Sequence, residues 1–228
     1  MSQFFKRLKY YGIGFGLGSI FVFMFFQNRG CSWLPANRVK NAILDRVITI
    51  SDSQQLLLNK KGVKQKDIIN LLNTGSINFD KSQKEGDMKV YQVYDDNLKL
   101  YFTLPKECFV SEVKICNKEA NQIKSTQEGM GKLIHFPNDD DLVFVDTTAL
   151  LECKLDHTGY INQRRILKSL KKAGKIDFKK SKFWIEPKPE VYLWFKDSKG
   201  APVGSKSIWY KNKINILALD LKDTLLCQ

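Results

Sequence analysis

The stretch KDIINLLNTGSINFDKS at 66–82 recurs with changes as RRILKSLKKAGKIDFKKS at 164–181. In both copies, apolar residues repeat every three to four positions, and a glycine then precedes a short alternating stretch. The first pattern is typical of an amphipathic helix and the second of a β-strand. Gly75 and Gly174 fall where each helix should end. We expect a left-handed C-cap at both positions, because glycine adopts that conformation without strain.

Each copy continues with an aromatic stretch, VYQVYDD at 90–96 and VYLWFKD at 191–197. The apolar and aromatic residues alternate with period two, as they do in a half-buried strand. Our alignment places Tyr91 on Tyr192. Because the blocks recur in the same order along the chain, they indicate an internal duplication.

Segments upstream of these blocks also match, since ITISDSQQLLLNKKG at 48–62 parallels VFVDTTALLECKLDHTG at 143–159. Each copy therefore predicts a strand, two helices and several further strands, an order typical of α+β proteins. The predicted fold class is α+β. It consists of an N-terminal transmembrane helix followed by two similar units, each of short helices packed on a small, mostly antiparallel sheet.

The expectation of a transmembrane helix comes from 19 consecutive uncharged residues between Lys9 and Arg29, YYGIGFGLGSIFVFMFFQN. As a helix this run would be about 28 Å long, which is close to the thickness of the bilayer core. The alternative is a cleaved signal peptide, whose apolar core is usually shorter and ends in a small-residue site. We predict an uncleaved signal anchor in a single-pass membrane protein.

The orientation is predicted from the basic residues that flank this run. Three lie on each side within about 15 residues, the distance over which such charges act. They are Lys6, Arg7 and Lys9 before the run, and Arg29, Arg38 and Lys40 after it. The first cluster is tighter and lies beside the chain's amino group. We therefore expect the N-terminus in the cytoplasm and the soluble domain on the extracytoplasmic side.

Glycines alternate through the first half of the uncharged run, at Gly12, Gly14, Gly16 and Gly18. They form two overlapping GxxxG pairs, and such small surfaces let two membrane helices approach closely. The alternative is the general abundance of glycine in membrane helices. These four residues are candidates for homodimerisation through the transmembrane helix.

The predicted domain boundaries follow from these segments. They are a cytoplasmic flank with the transmembrane helix (1–30), a juxtamembrane linker (31–45), a first α+β unit (46–116), a polar linker (117–141) and a second, basic α+β unit (142–228).

The chain carries a formal net charge of +13, and the second copy holds much of it. Residues 164–182 contain nine basic residues and one acid, a net +8, whereas 64–82 has three basic residues and two acids, a net +1. At 100° per residue, five of these cations fall on the side of the helix opposite its apolar residues. The candidate anion-binding residues are Arg164, Arg165, Lys168, Lys171, Lys172 and Lys175.

Such a face is either a solvated, solubilising surface or a binding site for an anionic partner. A lipid bilayer is the first partner predicted, with anionic lipid headgroups or an acidic protein held by the basic residues. Nucleic acid is a less favoured partner. Base recognition would need exposed aromatics, whereas Phe178, Phe183 and Trp184 alternate as core residues do.

No catalytic residue, metal site or cofactor is predicted. The histidines are His135 and His157, and Asp156 beside His157 forms only half of an acid–base pair. The acids at 139–141 lack the alternating spacing of a calcium loop. The five cysteines have irregular spacing and no CxxC pair, which argues against zinc ligands or a disulfide framework. Buried thiols are expected at Cys108, Cys116, Cys153 and Cys227. Cys31 is the exception, because it lies just outside the uncharged run, where it could pair with Cys31 of a second chain or carry an acyl chain.

The opening KRLKYYGIGFGLG at 6–18 and the following RGCSWLPANRVK at 29–40 resemble a group of small bacterial membrane-anchored proteins that carry a domain of unknown function. The helix–glycine–strand block of the first copy is also similar to that domain. The resemblance covers about half of the chain and implies no activity, because the matching motifs are structural.

Two functions follow as hypotheses. The first is a membrane-anchored, non-catalytic protein that presents a duplicated basic domain to an anionic partner, either lipid headgroups or an acidic protein. The alternative is a membrane-tethered, metal-independent ribonuclease-like domain that holds phosphates on the basic helix.

Overall fold

The computed structural model describes residues 2–27, 34–145, 162–185, 188–197, 200–210 and 212–220. The helices in these ranges are α1 (Ser2–Gln27), α2 (Pro35–Leu44), α3 (Asp52–Lys60), α4 (Gln65–Thr74) and α5 (Gln163–Ala173), with a 3-10 turn at Ala120–Gln122. The strands are β1 (Val47–Ser51), β2 (Ser76–Gln83), β3 (Met88–Tyr94), β4 (Lys99–Pro105), β5 (Val110–Lys114), β6 (Met130–His135), β7 (Val143–Val145), β8 (Lys175–Lys182), β9 (Glu190–Lys196), β10 (Pro202–Tyr210) and β11 (Lys213–Asp220).

The eleven strands of the described chain form one continuous sheet in the order β2-β3-β4-β5-β1-β6-β8-β9-β10-β11-β7. The order repeats. In the first half (β1 to β5), β1 lies at the inner end and runs parallel to β5; in the second half (β7 to β11), β7 lies at the outer end and runs parallel to β11. The other strand pairs are antiparallel.

This single sheet corrects the predicted fold class, which separated two small sheets behind a transmembrane helix. Strand β6 lies within the segment predicted as a polar linker, and it pairs with β1 on one side and β8 on the other. Pairing two sheet edges through one strand satisfies backbone groups that would otherwise remain open. The domain boundaries themselves stay a prediction, and residues 40–228 form one compact unit.

Gly131 is the residue of β6 that allows this close pairing. A Cβ at this position would lie 2.5 Å from Phe178 Cε2 and 2.7 Å from the Ile50 carbonyl oxygen. Both distances are shorter than a side-chain carbon can tolerate, and one of the two neighbours is backbone. Backbone N–H groups also cross this junction, since Phe178 N donates to Gly129 O at 2.9 Å.

Strands β1 and β8 run in the same direction, because both are antiparallel to β6. Strand β5 is parallel to β1, and the direction then alternates through β4 and β3 to β2, which therefore runs opposite to β1. Strand β2 and its counterpart β8 thus run in opposite directions. The second half is therefore turned over relative to the first, and equivalent surfaces lie on opposite faces of the sheet. Leu133 of β6 shows this, because it packs with α5. Leu133 is also paired with Thr49 of β1, which is paired with Glu112 of β5, so all three side chains lie on the same face of the sheet. That face of the first half is covered by residues 120–123.

The core follows the alternation of the strands. In the second half, α5 buries Ile166, Leu167 and Leu170 against one face of the sheet. Strand residues that point to that face are fully buried, including Ile176, Leu193, Trp209, Ile214 and Ile216. Burial of this kind supplies most of the folding free energy, at about 25 cal/mol per Å² of apolar surface.

The two halves share a β-bulge stabilised by one serine in each. Ser82 Oγ donates to Asn78 O and accepts from Gln92 N, at 2.5 and 3.0 Å. Ser181 Oγ makes the equivalent bonds to Asp177 O and from Tyr192 N, at 2.5 and 2.9 Å. The bulges interrupt the strand register between Asn78 and Gln83 and between Asp177 and Lys182. These bonds define which residues of the two halves are equivalent.

The equivalence corrects our alignment by one residue. Gln92, not Tyr91, occupies the position of Tyr192, since Gln92 pairs with Asn78 as Tyr192 pairs with Asp177. A shift of one residue along a strand moves a side chain to the other face of the sheet. Tyr91 is accordingly buried, whereas Tyr192 lies on the side of the sheet away from α5.

The glycines at the helix ends also have a different role from the one predicted. Gly75 has φ −67° and Gly174 has φ −65°, so neither is left-handed. A Cβ on Gly75 would lie 2.5 Å from Leu71 O, and one on Gly174 would lie 2.6 Å from Leu170 O. Glycine is needed here for the close approach of the last helical turn, whose carbonyl accepts the glycine N–H at 2.8 Å in both copies.

Among the described residues, no helix combines the length and the apolar character that crossing a membrane requires. Helix α1 has 26 residues, and its uncharged run contains four glycines, two tyrosines, a serine and a glutamine, which lower its apolar character. The predictions of a transmembrane helix, a signal anchor and a single-pass membrane protein with an extracytoplasmic domain are therefore wrong. The prediction rested on the length of the uncharged run. A membrane-spanning helix must also have a high mean hydropathy, which the absence of charge does not ensure.

We expect the substitution Gly131→Ala to destabilise the protein by about 1–3 kcal/mol, because the new methyl group has no room between Phe178 and the β1 backbone. Urea unfolding followed by circular dichroism measures the change. The matched control is Lys132→Ala, one residue along the same strand and exposed, which should change stability by less than about 0.5 kcal/mol. Equal stabilities for the two variants would contradict the role assigned to Gly131.

Candidate functional site

Five of the six predicted anion-binding residues lie together on the solvent side of α5. Asn162 begins the helix, and its Oδ1 accepts from Arg165 N at 3.1 Å, which satisfies one of the free N–H groups of the first turn. The apolar side of α5 is fixed in the core. The opposite side presents exposed Arg164, Arg165, Lys168, Lys171 and Lys172, and none of the five forms an ion pair within the described part of the chain.

Lys175, the sixth predicted residue, is separated from the others by the sheet. It begins β8, where it pairs with Trp194 and Lys132. Ile176, the next residue, is buried on the α5 side, so Lys175 lies on the opposite face. The sequence grouped six residues that the fold divides into a set of five and one residue of another surface.

A groove runs along one side of α5, where the helix meets the end of the β9–β10 hairpin. Ser169 Oγ donates to Lys196 O at 2.6 Å and accepts from Lys196 N at 3.0 Å, which attaches the helix to the strand. The lining residues that carry charge are Arg165, Lys168, Lys172, Lys196 and Asp197. Four cations and one carboxylate make this groove a shallow, predominantly positive surface.

Helix α4, the equivalent of α5 in the first half, has no comparable positive charge on its exposed side. The exposed positions of α4 include Lys66, Asp67, Asn70 and Asn73, which together add no net charge. Gln65 at the start of α4 donates to the Ile134 carbonyl. The charge difference predicted from the sequence therefore lies at solvent-exposed positions of otherwise similar helices.

A second difference between the halves concerns the side of the sheet away from the helices. In the first half, this side is closed by the segment after β5, where Ala120 and Ile123 pack on Val90 and Tyr101. Buried polar groups are paired beneath it. Lys114 Nζ lies 2.7 Å from Glu112 Oε2, and Glu112 also accepts from Thr126 N at 3.0 Å.

In the second half, the corresponding side, which we call the open face, carries half-buried aromatics. Tyr192 and Trp194 alternate along β9, and Tyr210 lies near the end of β10. Phe144 of β7 is 48% exposed. The alternation in VYLWFK is a signal for this aromatic surface. The alignment of Tyr192 with the buried Tyr91 hid the signal.

Tyr192 is held in one position on the open face. Its ring crosses Gly204, where a Cβ would collide with the phenol oxygen, and its hydroxyl donates to Asp220 Oδ2 at 2.6 Å. Trp194 meets it edge-on, with ring centroids 5.6 Å apart. Lys180 Nζ lies 4.3 Å from the Tyr192 centroid and 5.6 Å from the Trp194 centroid, within the range of a cation–π interaction.

The other aromatics near the basic segment divide between core and surface. Phe178 and Phe183 are buried and lie 6.1 Å apart between centroids, as expected of core residues. Trp184 is 49% exposed, so the expectation that it belongs to the core is wrong for this residue. The β-strand ends at Lys182, and the alternation that predicted burial ends with it.

The remaining candidates supply no catalytic or metal-binding arrangement in the described chain. His135 Nε2 lies 2.9 Å from the Leu44 carbonyl oxygen, and Asp139 Oδ1 accepts from Asp141 N at 2.8 Å in a turn. No group of three or more His, Cys, Asp or Glu residues is arranged to hold a metal ion in the described ranges. Cys31, Cys153, Cys227, Asp156 and His157 lie outside those ranges.

The two described cysteines are free thiols. Cys108 is buried, and burial raises the pKa of its thiol, with the Arg46 guanidinium acting in the opposite direction. A thiol with a raised pKa is a poor nucleophile at neutral pH. Its surroundings are those of a core residue.

The four glycines predicted as a dimerisation surface lie on α1. Apart from neighbouring residues and the backbone of α1 itself, no heavy atom of the described chain lies within 4 Å of the position that a Cβ would take at Gly12, Gly14, Gly16 or Gly18. Dimerisation through this surface stays a prediction, and its membrane setting no longer supports it.

Comparison with known protein families, curated proteins and solved structures finds no match to this chain. The resemblance to small bacterial proteins with a domain of unknown function therefore stays a prediction. Function must be argued from the two surfaces themselves.

Tyr192 should titrate at higher pH than an ordinary tyrosine. Partial burial raises the pKa of its phenol, and the hydrogen bond to the Asp220 carboxylate raises it further. Ultraviolet titration of the full chain should show a late tyrosinate step that Tyr192→Phe removes. Asp220→Asn should move this step to lower pH without abolishing the upward shift, because burial remains.

The sign of the linked stability change follows from the raised pKa. The contribution of Tyr192 is fully present below the unfolded-state pKa of about 10, and it is lost as pH rises through the folded-state pKa. Tyr91 also has a pKa raised by burial, so Tyr91→Phe is the control. A late step that survives in Tyr192→Phe and disappears in Tyr91→Phe would contradict the assignment.

Proposed function

We propose that this protein is a non-catalytic binding module that holds an anionic partner on the exposed basic side of α5. The observation that supports the proposal is the set of five exposed cations at 164–172, without an acidic partner in the described chain. The positive electrostatic potential of such a cluster attracts anions without a shaped pocket.

The geometry favours a surface rather than a small molecule as the partner. The cations are spread over an 11-residue helix, about 16 Å long, and the groove beside it is shallow. A single phosphate or carboxylate would contact only part of this row. Lipid headgroups or an acidic protein surface could contact several cations at once, and each basic residue near an anionic membrane contributes about 1 kcal/mol.

The fold gives lipid no advantage over an acidic protein as the partner of α5. A membrane-spanning segment would have held α5 close to headgroups, and that segment is not supported. Lipid headgroups and acidic proteins are therefore compared by experiment on equal terms. The ribonuclease-like alternative stays a prediction, and no contact in the described residues favours it.

The test is the triple substitution Lys168→Gln, Lys171→Gln and Lys172→Gln in the full chain. The control replaces three exposed lysines of the first half, Lys60, Lys61 and Lys66, with glutamine. Both triple variants lower the formal net charge from +13 to +10, so overall electrostatics change equally. Exposed substitutions of this type change stability little.

We expect the α5 variant to bind vesicles with 30% phosphatidylserine, or polyglutamate, at least tenfold more weakly than the control variant at 50 mM salt. Binding of the parent should weaken with added salt, because the Debye length falls to about 8 Å at 0.15 M. Co-sedimentation measures the first ligand and fluorescence anisotropy the second. Equal binding by the two variants would show that the basic side is only a solubilising surface.

A further inference from the structure

The open face differs from the basic side of α5 in both position and chemistry. It lies on the other side of the sheet, and it combines aromatic rings with lysines instead of presenting cations alone. The equivalent side of the first half is covered by its own chain. Gln92 and Tyr101, which lie there in the positions of Tyr192 and Lys206, are buried and hydrogen-bonded to each other at 2.7 Å.

We propose that the open face is a binding site for single-stranded nucleic acid, separate from the anion-binding side of α5. Tyr192 and Trp194 would stack on bases, and the surrounding lysines would contact phosphates. Aromatic rings on an antiparallel sheet, flanked by cations, are one general solution for unpaired bases. Every base has a π-face, so such a site tolerates different sequences.

The position of Lys180 supports this choice of ligand. Its ammonium group already lies over both rings, and no ion pair of Lys180 is found within the described ranges. A base that stacks on either ring can replace this contact, and the freed ammonium group is then within reach of the phosphate that follows. The Tyr192 ring does not need to be reordered, because Gly204 and Asp220 fix it before a ligand binds.

The charges on this face are positive in balance, and its acids are engaged. Glu190 is paired with Lys206 at 2.9 Å, Asp177 Oδ1 accepts from Lys180 N at 3.1 Å, and Asp220 accepts from the Tyr192 hydroxyl. Lys132 and Lys175 lie beside them without an ion pair in the described chain. Phosphates therefore meet unpaired lysines at the β6–β8 edge of the aromatic pair.

The face fits a protein partner less well. Interfaces between proteins place apolar side chains at a core from which charges are depleted. Here, Lys180 lies over the Tyr192 and Trp194 rings, and the Asp220 carboxylate accepts a hydrogen bond from Tyr192. A stacking ligand with its own negative charge matches both features of the surface.

The test uses the full chain with fluorescently labelled dT12, U12 and a 12-base-pair duplex. Anisotropy should show tighter binding of the two single strands than of the duplex, whose bases are not available for stacking. Trp194→Leu and Tyr192→Leu should each weaken single-strand binding about tenfold, in line with the effect of removing one stacking ring, while Tyr192→Phe should retain it. The matched control is Tyr94→Leu, the residue of the first half equivalent to Trp194.

Tryptophan fluorescence gives a second measurement that does not depend on a destabilising substitution. Bound dT12 should quench Trp194 in the parent, and this quenching should be lost in Trp194→Phe, which keeps a stacking ring. The α5 triple variant should retain the quenching even if its overall affinity falls. The two proposals can thus fail independently, because vesicle and polyglutamate binding depends on α5 while the quenching depends on Trp194.

Two outcomes would overturn the proposal. One is single-strand binding by Trp194→Leu and Tyr192→Leu within twofold of the parent, with both variants folded. The other is a dT12-dependent quenching that persists unchanged in Trp194→Phe. Preference of dT12 over U12, or the reverse, would identify DNA or RNA as the better ligand at the same site.

Discussion

The arrangement of this molecule depends on the pairing of β6 with both halves of the sheet. Without it, β1 and β8 would each present an open edge, and two five-stranded sheets would have to bury their faces separately. Gly131 makes the junction close enough for hydrogen bonding, because the Phe178 ring and the Ile50 carbonyl occupy the space of a side chain. Since β6 runs antiparallel to both neighbours, the second half is inverted.

The inversion determines where the functional surfaces lie. With the halves in the same orientation, α4 and α5 would cover one face together, and the other face would be continuous. Instead, the segment that closes the first half lies on the same face as α5, and the open face of the second half lies on the opposite one. The cations of α5 and the aromatics of β9 are separated by the thickness of the sheet, because α5 packs on one face of the second half and the aromatics lie on the other.

Much of the local structure could be predicted from the sequence, because it depends on short-range patterns. The apolar periodicity of 163–173 located α5 and its exposed cations, and the recurrence of glycine, phenylalanine and serine located β2 and β8. These signals arise from residues that face a core or end a helix. They are insensitive to where the rest of the chain lies.

The errors have physical causes that lie outside such patterns. Strand β6 was assigned to a polar linker because its formation depends on two edges far away in the sequence, and a glycine at its centre suggests a turn. The Tyr91–Tyr192 alignment failed because a bulge with its own loop precedes each strand, and sequence similarity alone does not register a single inserted residue. Lys175 was grouped with α5 because it continues the run of basic residues. The charge pattern does not show that the helix ends before Gly174 and that Lys175 lies in a strand, on the other face of the sheet.

The two halves show that one repeated strand order can carry different surfaces. The bulge serines, the glycines after the helices and the core residues keep their interactions in both copies. The basic positions of α5 are solvent-exposed, and substitutions at such positions change the free energy of unfolding little. In the first half, the same side contains a buried Lys114–Glu112 pair with Thr126. Removing either partner there would leave an uncompensated charge, so the covered half is constrained while the open half is free to vary.

The basic side of α5, which has cations alone, and the open face, which combines aromatic rings with lysines, should differ in how they select a ligand. Attraction by the α5 side depends on charge density, so it weakens with salt and distinguishes poorly between polyanions. Stacking on Tyr192 and Trp194 depends on an accessible π-face, and the phosphate contacts of the same ligand add a salt-dependent part. A ligand that meets only the first surface is held according to its charge, whereas one that meets the second is also distinguished by whether its bases are unpaired. Because the sheet lies between the two surfaces, substitutions can change one property without changing the other.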